Sequence, residues 1–267
     1  MGEVLNPVKG KVAVVTGGGS GIGEGLARRF AAEGATAVAL VDVNLEAAQR
    51  VAKDIGRGMA IRADVGEQAE VEAALTEVAE TVGEVDIYCS NAGIVATGGL
   101  ETSAHDWQQN WQVNTMAHVY AAQVLLPKMK ERGSGFFAIT ASAAGLLTEM
   151  SSLSYSVVKH GAVAVGEWLS LTYGGGAYAN GGVQISVLCP QGVRTAMFTE
   201  DAAVAAGVDG VLMPSDVADI VMESMQDGRF LILPHPQVHK YARYRADDHD
   251  RWLAGMRRLR QQLSSSN

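Results

Sequence analysis

The chain has 267 residues, 48% hydrophobic and 19% charged, with a net charge of −8. That balance supports a packed core, excludes a disordered chain and argues against nucleic acid as the main partner. No apolar run approaches the roughly 18 residues of a membrane helix, and the N-terminal MGEVLNPVKGK lacks a secretory apolar core.

In chain order, short β-branched runs alternate with helical patterns. KVAVVTG (11–17) reads as a strand, followed by a helix from about Gly21 to Glu33. ATAVALVDV (35–43), GMAIRADV (58–65) and VDIYCSNAG (85–93) read as further strands, the first two each followed by a helix. A long helical region covers about 104–131, GFFAITASA (135–143) is a fifth strand, and a helix runs from about Leu153 to Tyr173. VQISVLCP (183–190) and RFLILP (229–234) complete the strands, with a helix at about 215–227 between them. Such alternation predicts an α/β fold: one doubly wound, Rossmann-like parallel sheet of about seven strands with helices on both faces. Residues 1–235 read as one domain and 236–267 as a helical extension. In the extension Tyr241, Tyr244, Trp252, Met256, Leu259 and Leu263 recur near the helical period. The glycine-rich YGGGAYANGG (173–182) reads as a flexible connector.

Cys89 and Cys189 lack C-x-x-C spacing and read as buried reduced thiols, which points to the cytoplasm. His235 and His239 stand four apart, but Pro236 argues against a shared helix, and no metal site is expected.

The first strand runs into TGGGSGIGEG (16–25), which spaces Gly17, Gly21 and Gly23 as G-x-x-x-G-x-G, with Ser20 and Ile22 between them. Glycine allows a sharp turn and lets backbone N–H groups approach a pyrophosphate at the helix N-terminus. Asp42 ends the second strand, where an acid bonds adenosine ribose hydroxyls and repels a 2′-phosphate. Positions 43 and 44 carry no base, and Ser20 stands in the turn where a base would favour NADP. Both points favour NAD.

The remaining motifs complete a resemblance. TGGGSGIG at 16–23, ADV at 63–65, NAG at 91–93, Asn114, Ser142 and YSVVK at 155–159 stand in the order of a short-chain dehydrogenase/reductase of the roughly 250-residue type. The resemblance covers about 1–235. It implies an oxidoreductase in which Asp64 and Val65 hold the adenine and Asn91, Ala92 and Gly93 line the cofactor beside the ribose. It also implies that Val193 and Thr195 bond the nicotinamide carboxamide. The family's P-G-x-V-x-T reads here PQGVRT (190–195), with Gln191 at the usual glycine.

Within that set, Tyr155 and Lys159 share one helix face. A phenol of pKa near 10 needs about 4 kcal/mol to fall to about 7. A unit charge about 4 Å away supplies that order of energy at an effective dielectric near 20. The expected roles are Tyr155 as acid–base, Lys159 as the charge that lowers its pKa and bonds the nicotinamide ribose, and Ser142 as the group that holds the substrate oxygen. By the same resemblance Asn114 holds a water that links Lys159 to solvent.

Loops at 94–99, 143–152, 190–192 and 196–213 are expected to form the pocket. The apolar last one, AMFTEDAAVAAGVDGVLM, reads as a lid over a hydrophobic secondary alcohol or ketone. Competing readings are a sugar-nucleotide epimerase or dehydratase and a non-catalytic NAD-binding regulator. The resemblance also implies a homotetramer paired through the two long helices.

Overall fold

A computed structural model describes residues 6–197 and 208–265. Its strands are β1 (Val12–Thr16), β2 (Ala37–Asp42), β3 (Gly58–Arg62), β4 (Ile87–Ser90), β5 (Gly135–Thr140), β6 (Val183–Leu188) and β7 (Leu231–Ile232). They form one parallel sheet in the order β3-β2-β1-β4-β5-β6-β7. β1, β4, β5 and β6 are buried along their whole length, as strands covered on both faces must be.

Helices α1 (Gly21–Ala32), α2 (Leu45–Ile55) and α7 (Pro214–Asp227) cover one face. There Leu26, Phe30, Val51, Val221 and Met225 meet Val15, Leu40 and Ile87. Helices α3 (Gln68–Thr81), α5 (Ala117–Arg132) and α6 (Leu153–Tyr173) cover the other. There Val78, Leu126 and Met129 meet Val14, Tyr88 and Phe137, the last two stacked with centroids 5.2 Å apart. The chain reverses direction across the sheet between β1 and β4, and this switch point opens a crevice at the strands' carboxyl ends.

Several elements differ from expectation. The strands predicted over 58–65, 85–93 and 229–234 stop at Arg62, Ser90 and Ile232. Residues past those ends bond to other groups instead: Asn91 N–H, for example, donates to Thr16 Oγ1 at 2.9 Å. The helical region 104–131 is α4 (Ala104–Trp111), a π-turn (Gln112–Met116) and α5. The predicted tail helix is two, α8 (Gln237–Asp247) and α9 (His249–Ser265), because Asp248 turns extended and its carboxylate accepts Arg251 N–H at 2.9 Å. Pro236 precedes α8, so His235 lies outside the helix that carries His239.

The glycine-rich connector is anchored rather than free. Tyr178 is 4% exposed, lies against Phe136, and its N–H donates to Gln184 Oε1 at 3.0 Å. Of the expected lid, 198–207 lie outside the described residues. Beyond them Leu212 pairs with Val193, exchanging bonds with Gly192 and Arg194.

Candidate active site

The glycine turn sits at the switch point. Gly17 and Gly21 adopt φ of 64° and 53°, a left-handed conformation that disfavours any side chain. A Cβ on Gly23 would lie 2.1 Å from Gly17 O, so the turn closes only on glycine. Ser20 makes no side-chain cap bond to α1, which leaves the first-turn N–H groups without a side-chain acceptor. A groove of about 590 Å³ touches the turn at Gly21 and runs between α1 and α7, lined by Arg28, Arg194, Thr195, Pro214 and Asp219; it does not reach Asp42 or Tyr155. An uncapped helix N-terminus facing open space at a switch point fits a dinucleotide pyrophosphate.

Asp42 closes the second side of the crevice. Its carboxylate accepts Gly19 N–H and Asn44 N–H, each at 2.9 Å. Arg50 of α2 donates to Gly19 O at 3.1 Å, a cation beside the turn that sequence spacing did not single out. Asp64 accepts Gly66 N–H at 2.8 Å, and Val65 is buried next to it.

Thr16 joins the turn to the third wall. Its Oγ1 accepts the N–H groups of Asn91 and Ala92 at 2.9 and 3.0 Å. Asn91 donates from Nδ2 to Thr16 O and accepts Thr140 Oγ1–H, so its side chain braces three strand ends. Thr16 was missed from sequence, although a hydroxyl directly before a glycine turn is a readable signal. Across the turn, Thr195 Cγ2 lies 2.9 Å from where a Gly21 Cβ would stand, and Val193 is buried beside it.

Tyr155, Lys159, Asn114 and Ser142 come together at the inner end of this crevice. Ser152 starts α6 by accepting Tyr155 N–H at 3.1 Å, which puts Tyr155 in the first helical turn and Lys159 one turn on. Lys159 Nζ lies 5.6 Å from the Tyr155 ring centre and donates to Thr140 O at 2.9 Å. The Ser142 hydroxyl lies close enough to the phenol to favour its ionised form and accepts Ala144 N–H at 3.1 Å. Gly93 faces Asn114 and Lys159: a Cβ there would lie 2.9 Å from Asn114 Oδ1 and 3.6 Å from Lys159 Nζ. Gly145 lets the Ser142 turn reach α6, since its Cβ would strike Lys159 O at 2.5 Å.

The π-turn delivers Asn114 to this point, fully buried. Its amide donates to Ile94 O at 2.9 Å and to Asn110 O at 3.1 Å, and accepts Ile94 N–H at 3.3 Å. The side chain is thus committed to protein partners. His118, one turn further along, is also fully buried, with Nδ1 2.7 Å from Ser90 Oγ. Burial, then the nearby Lys159 charge, pushes its pKa down to about 3, so it stays neutral.

The electrostatics differ from the simple Tyr–Lys expectation. Burial pushes the Tyr155 phenol up to about 12, against the opposing pull of Ser142. Burial pulls the Lys159 ammonium down to about 8. Desolvation, helped by Glu149 and Cys189, outweighs the pull of Ser142 on the phenol, and Lys159 turns its ammonium toward Thr140 O.

The loops expected to form the pocket do meet. Leu153 N–H donates to Gly98 O and Gly98 N–H to Ser151 O, each at 3.0 Å, which zips 94–99 to 151–153. Ala143 N–H donates to Pro190 O at 2.8 Å. From the tail, Arg245 donates to Leu146 O at 2.8 Å.

Comparison with known proteins agrees with this geometry. A family profile described as short chain dehydrogenase matches residues 11–205. The chain is 38% identical over 190 residues to meso-2,3-butanediol dehydrogenase of Serratia marcescens, covering 70% of this chain and 73% of that protein. It is 34% identical to 1-deoxy-11-beta-hydroxypentalenate dehydrogenase of Streptomyces exfoliatus, covering 89% and 88%. A crystal structure of a short chain dehydrogenase/reductase from Burkholderia phymatum in complex with NAD superposes with a TM-score of 0.81 at 31% identity, covering 91% of this chain and 95% of that one. The profile spans both the glycine turn and the helix of Tyr155, and the chain therefore belongs to the short-chain dehydrogenase/reductase family of oxidoreductases.

Proposed function

We propose that this chain interconverts a secondary alcohol and its ketone with NAD, in the cytoplasm. The convergence of Tyr155, Ser142 and Lys159 at the inner end of the glycine-turn crevice carries the reading. Relatives named for butanediol and hydroxypentalenate oxidation support an alcohol as substrate. Cys89 and Cys189, both free and buried, fit a reducing compartment.

The turn from Gly17 through Ser20, Gly21 and Ile22 to Gly23 would hold the pyrophosphate and Asp42 the adenosine ribose. Asp64 and Val65 would take the adenine, and Asn91, Ala92 and Gly93 the ribose side. Tyr155 and Lys159 would contact the nicotinamide ribose, and Val193 and Thr195 the carboxamide. Bound there, the nicotinamide supplies the hydride donor or acceptor and, when oxidised, a positive charge.

Ser142 holds the substrate oxygen beside Tyr155. In the protein alone the phenol rests neutral, ready to donate its proton to a ketone. In alcohol oxidation Tyr155 accepts the proton. The positive charges of Lys159 and of the oxidised ring together offset the burial that raises the phenol. Lys159 then passes the proton outward. By the resemblance Asn114 would hold the water of this relay, although its amide is engaged with Ile94 and Asn110.

The direct test follows NADH absorbance over a panel of secondary alcohols and ketones. Tyr155→Phe should lose about a thousandfold or more in turnover yet still bind NADH by fluorescence. Wild-type-like turnover in that variant sinks the mechanism. In the wild type, kcat/KM should favour NAD over NADP, and the opposite order refutes the role of Asp42.

We also read the protein as a homotetramer. Leu153, Val157, Trp168 and Leu171 form an exposed apolar stripe along α6, with Trp168 60% and Leu171 88% exposed.

A further inference from the structure

Seven buried side-chain polar atoms lack a hydrogen-bond partner among the described residues, and four of them belong to one connected cluster. They are Gln191 Oε1, His235 Nε2, Asp209 Oδ2 and Arg245 Nε. Buried polar groups are paired as a rule, so such a concentration calls for a physical cause.

The cluster is tied together by its other atoms. Gln191 N–H donates to His235 Nδ1 at 3.3 Å. Asp209 acts electrostatically on the His235 ring. Tyr241 of α8 donates its hydroxyl to Asp209 Oδ1 at 3.0 Å, and Arg245 lies one turn further along the same helix. Three segments joined by these bonds thus each carry unpaired atoms.

The position of the cluster follows from two bonds already described. Gln191 directly follows Pro190, whose carbonyl accepts Ala143 N–H beside Ser142. Arg245 holds Leu146 O, in the segment that leaves the Ser142 turn. The cluster therefore flanks the Ser142 turn from two sides. Here Gln191 replaces the small residue that the resemblance leads one to expect.

We propose that Gln191, His235 and Asp209 form a polar subsite of the substrate pocket that binds a hydroxyl group of the substrate other than the one oxidised. This rests on the secondary-alcohol reading above and narrows it from a purely hydrophobic substrate to a hydroxylated one, a diol or hydroxyketone.

The donor and acceptor pattern selects the chemistry. Because His235 Nδ1 accepts from Gln191 N–H, the neutral ring carries its proton on Nε2, which is then a donor without an acceptor. Burial lowers the pKa of His235 and so favours that neutral form. The Gly210 backbone also approaches the ring but leaves Nε2 without a bond. Gln191 Oε1 and Asp209 Oδ2 are acceptors without donors. A hydroxyl accepts one hydrogen bond and donates one, so it can join the histidine to either acceptor. A keto oxygen would serve only the histidine. An ammonium would serve only the acceptors and would meet the N–H end-on.

The test compares matched pairs of secondary alcohols and their 1,2- and 1,3-diols. Dissociation constants are measured in the presence of NADH, together with kcat/KM for oxidation. The wild type should bind the better-fitting diol about tenfold or more tightly than its monohydric partner. His235→Phe should bring that ratio to within about threefold of unity, while His235→Gln, which keeps a donor, should retain most of it. Gln191→Leu, at a partly exposed position, gives a second variant should His235→Phe fail to fold, and should reduce the ratio in the same direction. Diol-selective binding that depends on these residues, even with no turnover, upholds the subsite and leaves the alcohol reading to fall. Turnover with no diol preference at either spacing overturns the subsite and leaves the alcohol reading standing. The subsite is equally overturned if the preference survives both variants, or if matched amines bind more tightly than the diols.

Discussion

Lys159 shows what the site demands of single residues. Burial holds its ammonium down to about 8 against an ordinary 10.5. At about 1.4 kcal/mol per pKa unit, the buried charge destabilises the protein without cofactor by about 3 kcal/mol below pH 8. The bond to Thr140 O returns about 1 kcal/mol. Lys159→Met should therefore be more stable than the wild type at pH 7, by about 2 kcal/mol, while losing turnover. The folded-state pKa lies below the unfolded one, so the penalty is full below pH 8. It fades between pH 8 and about 10.5 and vanishes above that, where both states are neutral. Urea unfolding of both proteins at pH 7 and at pH 10 checks this. A variant less stable at pH 7, or a gain that grows with pH, contradicts the account. At this scale Tyr155 and Lys159 were legible by their spacing on one helix face, and Ser142 and Asn114 only through the resemblance that the ordered motifs carry. The balance between desolvation and attraction was not, because it depends on how deeply neighbouring loops bury the pair.

At the scale of elements, the strands and most helices followed from apolar periodicity. What escaped was set by side chains reaching between elements. The strand predicted through Gly93 stops at Ser90 because Thr16, on a neighbouring strand, captures the next two amides. The connector 173–182 reads as flexible from its glycines, yet Tyr178 seats it against Phe136. The tail divides at Asp248 because one carboxylate caps the second helix better than it continues the first. The glycine turn was legible, and its structure gives a sharp expectation. Gly23→Ala drives a methyl against Gly17 O, at 2.1 Å before relaxation, so the turn must open. The variant should keep its helical circular dichroism and weaken NADH binding by about a hundredfold, as expected of a turn displaced by about an ångström. Unchanged affinity by fluorescence titration would count against the turn as the pyrophosphate site.

For the whole molecule, the sheet sets where chemistry can occur, and the exposed apolar stripe on α6 is the face proposed above for the contact between copies. Trp168 and Leu171 lie on the face of α6 turned away from the sheet, whereas Val158, Ala162 and Val163 of the same helix are buried. Trp168→Glu should reduce the assembled state in light scattering, with little change in the unfolding of the single chain. A wild type that is monomeric at micromolar concentration, or a variant that stays assembled, removes the stripe as the contact. The parallel, doubly wound sheet was readable from alternation, and the crevice from the glycine turn that follows the first strand; the strand order appears only in the structure. The polar corner around His235 was not, because it joins three segments far apart in the chain.

The π-turn at Gln112–Met116 also bears on how this protein can change. It is one residue more than a regular helix needs, so the side chains before and after it follow two different angular frames. No point substitution supplies or removes that offset. Deleting one residue within 112–116 would turn α5 by about 100° relative to α4. Either Asn114 would leave the site or Leu126 and Met129 would leave the sheet. The length of the segment is therefore as constrained as the identity of the buried Asn114 within it. Any transplant of this active site to another scaffold has to carry the extra residue with it.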